Sequence, residues 1–82
     1  MPAFHAVVTV ELKESILDPA GEATQGVLKH MGFSVDGVRI GRHIRLTLEA
    51  ETAEEAGQVA GRMAEELLAN PVMETFRVEV LA

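Results

Sequence analysis

The sequence predicts an α+β fold, a two-layer βαββαβ sandwich in which two helices cover one face of a four-stranded, mostly antiparallel sheet. Segments that alternate apolar and polar residues indicate strands, and segments with apolar residues every three or four positions indicate helices. The chain has 82 residues, 48% of them hydrophobic, so we expect one domain over residues 1–82. Domains this small often gain stability by forming oligomers.

The first strand and the first helix are predicted near the start of the chain. Residues 4–13 alternate between apolar and polar side chains and are rich in β-branched residues, which is typical of a half-buried strand. Asp18 can cap a helix, and Pro19 suits its first position. Gly32 suits the left-handed residue that follows a helix. We therefore expect a helix over about residues 19–31.

Two further strands are predicted to form a central hairpin, over residues 33–40 and 43–50. A three-residue turn at Gly41-Arg42-His43 keeps the apolar side chains of both strands on one face, with Gly37 as a bulge. A turn at Asp36-Gly37 is the alternative, but it leaves an unusually long following strand. The default order of the strands is ferredoxin-like, although the pattern does not determine it.

The polar side of this hairpin carries several cationic side chains. In the chosen register Arg39 and Arg45 lie opposite each other, with Arg42 and His43 at the tip. Like charges directly across a ladder are unfavourable unless an anion joins them. Acidic side chains of neighbouring strands can supply that anion, and an acidic partner surface or a bound anion is the alternative.

A second helix and a last strand are predicted in the final third of the chain. Thr52 and Glu55 have the spacing of a capping box, and Asn70-Pro71 ends the helix. Residues 76–80 then alternate like a strand. The apolar stripe of this helix is expected to comprise Ala56, Val59, Ala60, Met63 and Leu67.

Gly57 and Gly61 lie one turn apart in the second helix. Each glycine costs a helix about 1 kcal/mol relative to alanine, so the pair suggests that another backbone comes close. The first helix of the same chain is the favoured neighbour, because it offers Ala23 and Gly26. A contact between subunits is the alternative.

Composition argues against several classes of protein. The net charge of −6 disfavours nucleic-acid binding, which depends on lysine and arginine. There is no apolar run long enough to cross a bilayer, no export signal and no cysteine, so we expect a cytoplasmic protein. His5, His30 and His43 lack the spacing of metal ligands, and no phosphate-binding loop is present. The sequence does not look like a self-sufficient enzyme.

Five segments together resemble the PurS family, the small subunit of phosphoribosylformylglycinamidine (FGAM) synthase. This complex is an ATP-dependent glutamine amidotransferase, a ligase of purine biosynthesis. The resemblance covers nearly the whole chain, although Arg42 stands where lysine is common in the family and Met73 where isoleucine is common. The segments are Val8–Lys13, Ile16–Gly21, Met31–Phe33, Val38–Arg42 and Leu67–Phe76.

The resemblance implies a non-catalytic adaptor that holds a glutaminase subunit and a large synthetase subunit together. It also implies that the chain assists ammonia transfer during conversion of FGAR to FGAM. No cofactor is expected on this chain, because ATP, Mg²⁺ and glutamine are used by the partner subunits. A stand-alone regulatory or small-ligand-binding domain is the alternative.

The predicted surfaces follow from this interpretation. We expect a homodimer or higher homo-oligomer formed through sheets or edge strands, since the edges carry little protection. Polar and charged loop residues on a rigid sheet suit recognition of the larger subunits. The residues predicted to bind those partners are Arg42, His43, Asn70, Pro71, Met73 and Glu74.

Overall fold

The structure, a computed structural model, describes residues 1–81 and consists of a sheet, a covering helix and a projecting helix. The sheet is antiparallel and three-stranded, with strand order β2-β1-β3. The α+β class predicted from the sequence is confirmed. The elements are β1 (Ala3–Leu12), α1 (Pro19–His30), β2 (Arg42–Glu49), α2 (Ala53–Met63), a π-helical turn (Ala64–Leu68) and β3 (Glu74–Leu81).

β1 is the central strand and supplies the largest buried side chains. Val8 pairs with Ile44 of β2 on one side and with Val78 of β3 on the other. Val8 and Val10 are almost fully buried beneath the helical layer. The alternation along β1 therefore sends its apolar residues to the covered face and its polar residues to the open face, as the pattern predicted.

The core is thin because alanine dominates the helical side. Small side chains let α2 lie close to the sheet, but they bury little apolar area per residue. The buried apolar residues are Ala6, Val8, Val10, Leu48, Ala50, Ala56, Ala60, Ala64 and Ala69.

The predicted apolar stripe of α2 is correct at its start and wrong at its end. Thr52 caps the helix as predicted, its Oγ1 accepting a hydrogen bond from the Glu55 amide at 3.1 Å. After Ala64 the helix widens, and the Ala69 amide donates to the Ala64 carbonyl five residues earlier at 2.9 Å. This wider turn rotates each residue less, so Leu68 meets the core and Leu67 is left 83% exposed.

The predicted central hairpin is wrong. Residues 33–41 form no strand within the described part of the chain, and Arg42 and His43 are the first residues of β2 instead of a turn. Arg45 pairs with Val7 of β1, so it does not face Arg39. The sheet is therefore three-stranded, and residues 33–40 pair with no strand among residues 1–81.

Residues 13–41 project from the sheet as an arm, which we define as this range including α1. Within residues 1–81, α1 makes no substantial contact with the sheet or with α2, so the prediction of two helices on one face is wrong. The molecule measures 51 × 27 × 14 Å with a radius of gyration of 16.0 Å. A globular chain of this length has a radius of gyration of about 12 Å, so the arm makes the protomer unusually extended.

The local signals that predicted α1 are confirmed. Asp18 caps the helix, Pro19 is its first residue and the helix ends at His30. Gly32 follows with a φ of 98°, the left-handed conformation that glycine tolerates. The helix therefore forms where its end signals predicted, although it does not pack where the sandwich pattern predicted.

Candidate functional site

The turn between the π-helical turn and β3 is organised by Asn70. Its side-chain oxygen accepts hydrogen bonds from the amides of Val72 at 2.9 Å and Met73 at 3.4 Å. Its backbone carbonyl accepts from the Glu74 amide at 2.7 Å. An asparagine that binds the backbone two residues on mimics a turn, so Asn70 and Pro71 together determine this loop.

Arg42 and Glu74 were predicted as separate contact residues, and the structure brings them together. One guanidinium nitrogen of Arg42 lies 2.9 and 3.0 Å from the two carboxylate oxygens of Glu74. The same nitrogen donates to the Leu68 carbonyl at 2.9 Å, at the end of the π-helical turn. The Glu74 carboxylate also accepts a hydrogen bond from the backbone amide of Asn70 at 2.7 Å. The ion pair therefore ties β2, β3 and the helix end into one joint.

The remaining predicted contact residues are exposed. His43 lies on the open face of β2, opposite Thr9 of β1. Val72 and Met73 project from the loop with exposed fractions of 76% and 43%. Val72 and Leu67 were not predicted to bind a partner. Both side chains nevertheless lie outside the core. Exposed apolar side chains on a hydrogen-bonded turn are a better recognition feature than the internally paired Arg42 and Glu74.

Gly57 lies beside β3, whereas Gly61 borders open space. A Cβ at Gly57 would lie 3.4 Å from a methyl group of Val80, whereas one at Gly61 would meet nothing within 4 Å. The expected contact of these glycines with α1 is wrong, because α1 lies elsewhere. The alternative, a contact between subunits, stays a prediction.

Two open grooves flank β3 at its two ends. One has a volume of about 550 Å³ and the other a volume of about 400 Å³. The first lies between the π-helical turn and the start of β3, and the second between the start of α2 and the ends of β1 and β3. The first is lined by Glu65, Ala69, Pro71, Glu74, Thr75 and Phe76, the second by Ala3, Phe4, His5, Ala53, Val80 and Leu81.

A polar clasp closes the base of the arm. The buried carboxylate of Asp18 accepts hydrogen bonds from the amides of Gly21 at 3.0 Å and Ile40 at 2.8 Å. The guanidinium of Arg39 donates to the carbonyls of Lys13 at 2.9 Å and Ile16 at 3.0 Å. The clasp thus binds the start of α1 to the residues that return to β2.

Electrostatics and close packing reinforce this clasp. The hydrogen bond from the Ile40 amide, followed by that from Gly21, holds the pKa of Asp18 below its ordinary value of 3.8, although burial acts in the opposite direction. Arg39 lowers that pKa further. A side chain at Gly21 would collide with the Val38 carbonyl. The Asp18-Pro19-Ala20-Gly21 segment stood out in the sequence, but its contact with residues 38–40 could not be predicted without the arm.

The described residues offer few groups for chemistry. Within residues 1–81, no group of three or more histidine, cysteine, aspartate or glutamate side chains is arranged to hold a metal ion. None of the described helices is both long and apolar enough to span a membrane. The features that remain are surfaces, namely the loop, the two grooves and the arm.

A small α+β chain with one covered sheet face and an extended arm is a shape found in known proteins. A sequence model of PurS, described as phosphoribosylformylglycinamidine (FGAM) synthase, matches residues 5–82. The chain belongs to the PurS family. It is 38% identical over 82 residues to the PurS subunit of that synthase from Thermotoga maritima, covering 99% of this chain and 100% of the relative. It is 43% identical to the subunit from Synechocystis, covering 98% and 81%.

Solved structures agree with this assignment. A chain in the structure of PurLQS from Thermotoga maritima superposes with a TM-score of 0.91 at 38% identity, over 99% of this chain and 100% of that chain. PurS from Thermus thermophilus superposes with a TM-score of 0.84 at 42% identity, over 99% and 100%. The resemblance to the PurS family predicted from the sequence is confirmed.

Proposed function

We propose that this chain, the PurS subunit of an FGAM synthase, joins a glutaminase subunit to a large synthetase subunit. The observation that carries the proposal is the similarity, along the whole chain, to a component of the PurLQS assembly. Its role is to present surfaces and to assist ammonia transfer, and it supplies no catalytic residue. ATP, Mg²⁺ and glutamine are bound by the partner subunits, and the assembly works in the cytoplasm.

Reconstitution tests this function. The chain is mixed with the glutaminase and synthetase subunits of its own organism and passed over a sizing column, with FGAM formation measured in the same fractions. We expect all three to co-elute and FGAM formation from glutamine to depend on this chain. With ammonium chloride as the nitrogen source, FGAM formation by the synthetase should depend far less on this chain. Elution of the chain by itself under conditions that support the other two subunits would contradict the proposal.

The docking loop is the second part of the proposal. We propose that Val72 and Met73 contact the larger subunits. Asn70 and Pro71 maintain the turn, and His43 adds a polar contact from the open face of the sheet. Val72→Ser and Met73→Ser should change the free energy of unfolding by no more than about 0.5 kcal/mol, because both side chains are exposed. Recovery of the complex on the sizing column should fall. Full recovery with both variants would remove the loop from the interface.

The arm supports a third part, a homodimer in which each copy completes the other. Residues 33–40 have the alternation of a strand, but within residues 1–81 they pair with no strand, and β2 pairs only with β1. In the dimer the segment pairs with the partner's β2, and α1 covers the partner's sheet. Exchange of an identical element between copies is an efficient route to a dimer. The exposed apolar residues of the arm that this would bury are Leu17, Val27, Met31, Phe33 and Ile40.

Two neighbouring substitutions test the exchange. Met31, which is 66% exposed, and His30 lie side by side at the end of α1. Met31→Glu should shift sedimentation at micromolar concentration toward the monomer, whereas His30→Glu, with the same change in charge, should leave the dimer intact. A parent chain that sediments as a monomer would rule the dimer out. Equal effects of the two variants would place the interface away from the apolar side of α1.

A further inference from the structure

α2 lies beside β3, with Gly57 next to Val80, and an open groove lies at each end of the outer edge of β3. The grooves of about 550 and 400 Å³ open at its two ends. Between them α2 presents Gly57 and Gly61, and Gly61 has open space where a side chain would be. We call this surface the β3 trough, defined by Ala53, Gly57, Gly61, Glu65 and Phe76. Its two grooves are lined mainly by apolar surface, and Gly61 leaves open space between them.

The edge of the trough is a strand with unpaired backbone groups. Among the residues that the structure describes, β3 pairs only with β1, so its outer side offers a row of N–H and C=O groups. The strand runs for eight residues, Glu74–Leu81, without a proline. An edge of this kind accepts an added strand, with alternate side chains of the incoming segment entering pockets beside the sheet.

The charge around the trough selects the occupant. Glu65 lines the first groove, and Glu54 precedes Gly57 and Gly61 of α2 at spacings of three and four residues, so Glu54 lies on the helix face that borders the trough. In the described part of the chain, no lysine or arginine lines either groove. Glu74 is already neutralised by Arg42 at 2.9 Å. Glu65 and Glu54 are therefore left to attract a cationic ligand.

We propose that the β3 trough binds an extended segment of a partner subunit that alternates apolar side chains with lysine or arginine. The apolar side chains fill the grooves and the cationic ones reach Glu54 and Glu65, while the backbone adds to β3. A second copy is a poorer occupant, because antiparallel pairing of two β3 strands brings the acidic rims together. This inference rests on the proposed function, since the segment belongs to the glutaminase or the synthetase subunit.

The test measures the affinity of the full-length chain for the purified synthetase and glutaminase subunits, each separately, with matched variants. Glu65→Lys reverses a charge that lines the trough, and Glu66→Lys makes the same change one residue outside it. We expect Glu65→Lys to weaken binding of one subunit about tenfold or more, with the loss smaller at high salt. Glu66→Lys should change it less than about twofold. Equal losses would show that overall charge, and not the trough, is recognised.

A steric variant provides an independent measurement. Gly61→Met places a side chain in the open part of the trough without meeting protein atoms, so the thermal midpoint should not fall. Its affinity for the same subunit should fall about tenfold, because the new side chain occupies the open space at Gly61 that the segment needs. Unchanged affinity would overturn the proposal, and so would a loss of self-association with partner binding intact, since the occupant would then be a second copy. If the parent chain binds neither subunit, the proposed function fails before the trough is tested.

Discussion

The sheet with α2 and the arm of residues 13–41 are stabilised by different interactions. In the first region, two adjoining apolar clusters are buried, one around the alanines of α2 and one around the valines of β1. In the second, the fixed points are hydrogen bonds made by Asp18 and Arg39, while the apolar side chains stay largely exposed. The sheet and α2 bury their hydrophobic surface. The arm is ordered by hydrogen bonds, but its hydrophobic side chains stay exposed.

This difference indicates that the two regions have different roles. A region that buries its own apolar residues is stable by itself, whereas an ordered segment with exposed apolar residues is prepared to bury them elsewhere. The clasp at Asp18 fixes the base of the arm. We therefore attribute the stability of the protomer to the sheet and α2, and the proposed self-association to the arm.

The largest expected effect is the difference in unfolding free energy between the same substitution made in each of the two regions. Val8→Ala removes fully buried methyl groups and should lower the free energy of unfolding by about 2 kcal/mol. Val27→Ala alters an exposed residue of α1 and should cost less than about 0.5 kcal/mol within the protomer. Urea denaturation at two protein concentrations checks this. A large, concentration-independent loss for Val27→Ala would mean that the arm packs on its own sheet.

Gly21→Ala should disrupt the clasp and leave the sheet intact. The new methyl group would collide with the Val38 carbonyl and the Asp18 carboxylate, at a cost of about 1–3 kcal/mol. Gly26→Ala on the same helix meets no atom within 4 Å and should stabilise α1 by up to about 1 kcal/mol, which makes it the control. Hydrogen exchange is the measurement. Faster exchange at residues 38–41 in Gly21→Ala alone is the expected result.

The clasp should also respond to pH. Because the pKa of Asp18 is lowered from 3.8 by folding, its contribution to stability is complete above that value and is lost as pH falls through the lower pKa of the folded state. The protection factor of the Ile40 amide should therefore fall below about pH 4, and Asp18→Asn should show the low, acid-like protection factor already at neutral pH. A parent chain and a variant with the same pH profile would exclude Asp18 as the titrating group.

Local signals in the sequence predicted the helices well, because their causes are local. Asp18, Thr52 and Gly32 end or begin helices through contacts within a few residues. The strand at residues 33–40 was predicted wrongly, since alternation indicates that a segment can pair but not which chain carries its partner edge. The predicted packing of α1 on the sheet was wrong for the same reason.

The candidate site was predicted only in part. Asn70 and Pro71 were selected as an unusual turn, and the structure shows how Asn70 builds it. The pairing of Arg42 with Glu74 could not be predicted, because it joins strands that are not adjacent in sequence. Nor could the exposure of Leu67, which depends on the wider turn after Ala64.

The Arg42–Glu74 joint should contribute a smaller effect. Arg42 is 55% exposed and Glu74 18%, so a double-mutant cycle with Arg42→Ala and Glu74→Ala should give a coupling of about 0.5–1 kcal/mol. Any weaker assembly of these variants must then be compared with their lower thermal midpoint. A coupling near zero would leave both side chains available to partners, as the sequence alone predicted.

The central claim is that the arm is completed by another copy of the chain. Hydrogen exchange of the parent protein at a high and a low concentration, with the oligomeric state established by sedimentation, tests it most directly. We predict that residues 34–39 are protected when the chain is associated and exchange rapidly when it is diluted, while β1 is protected in both. Rapid exchange of residues 34–39 in the associated state, or protection of these residues that survives in a monomer, would contradict the account.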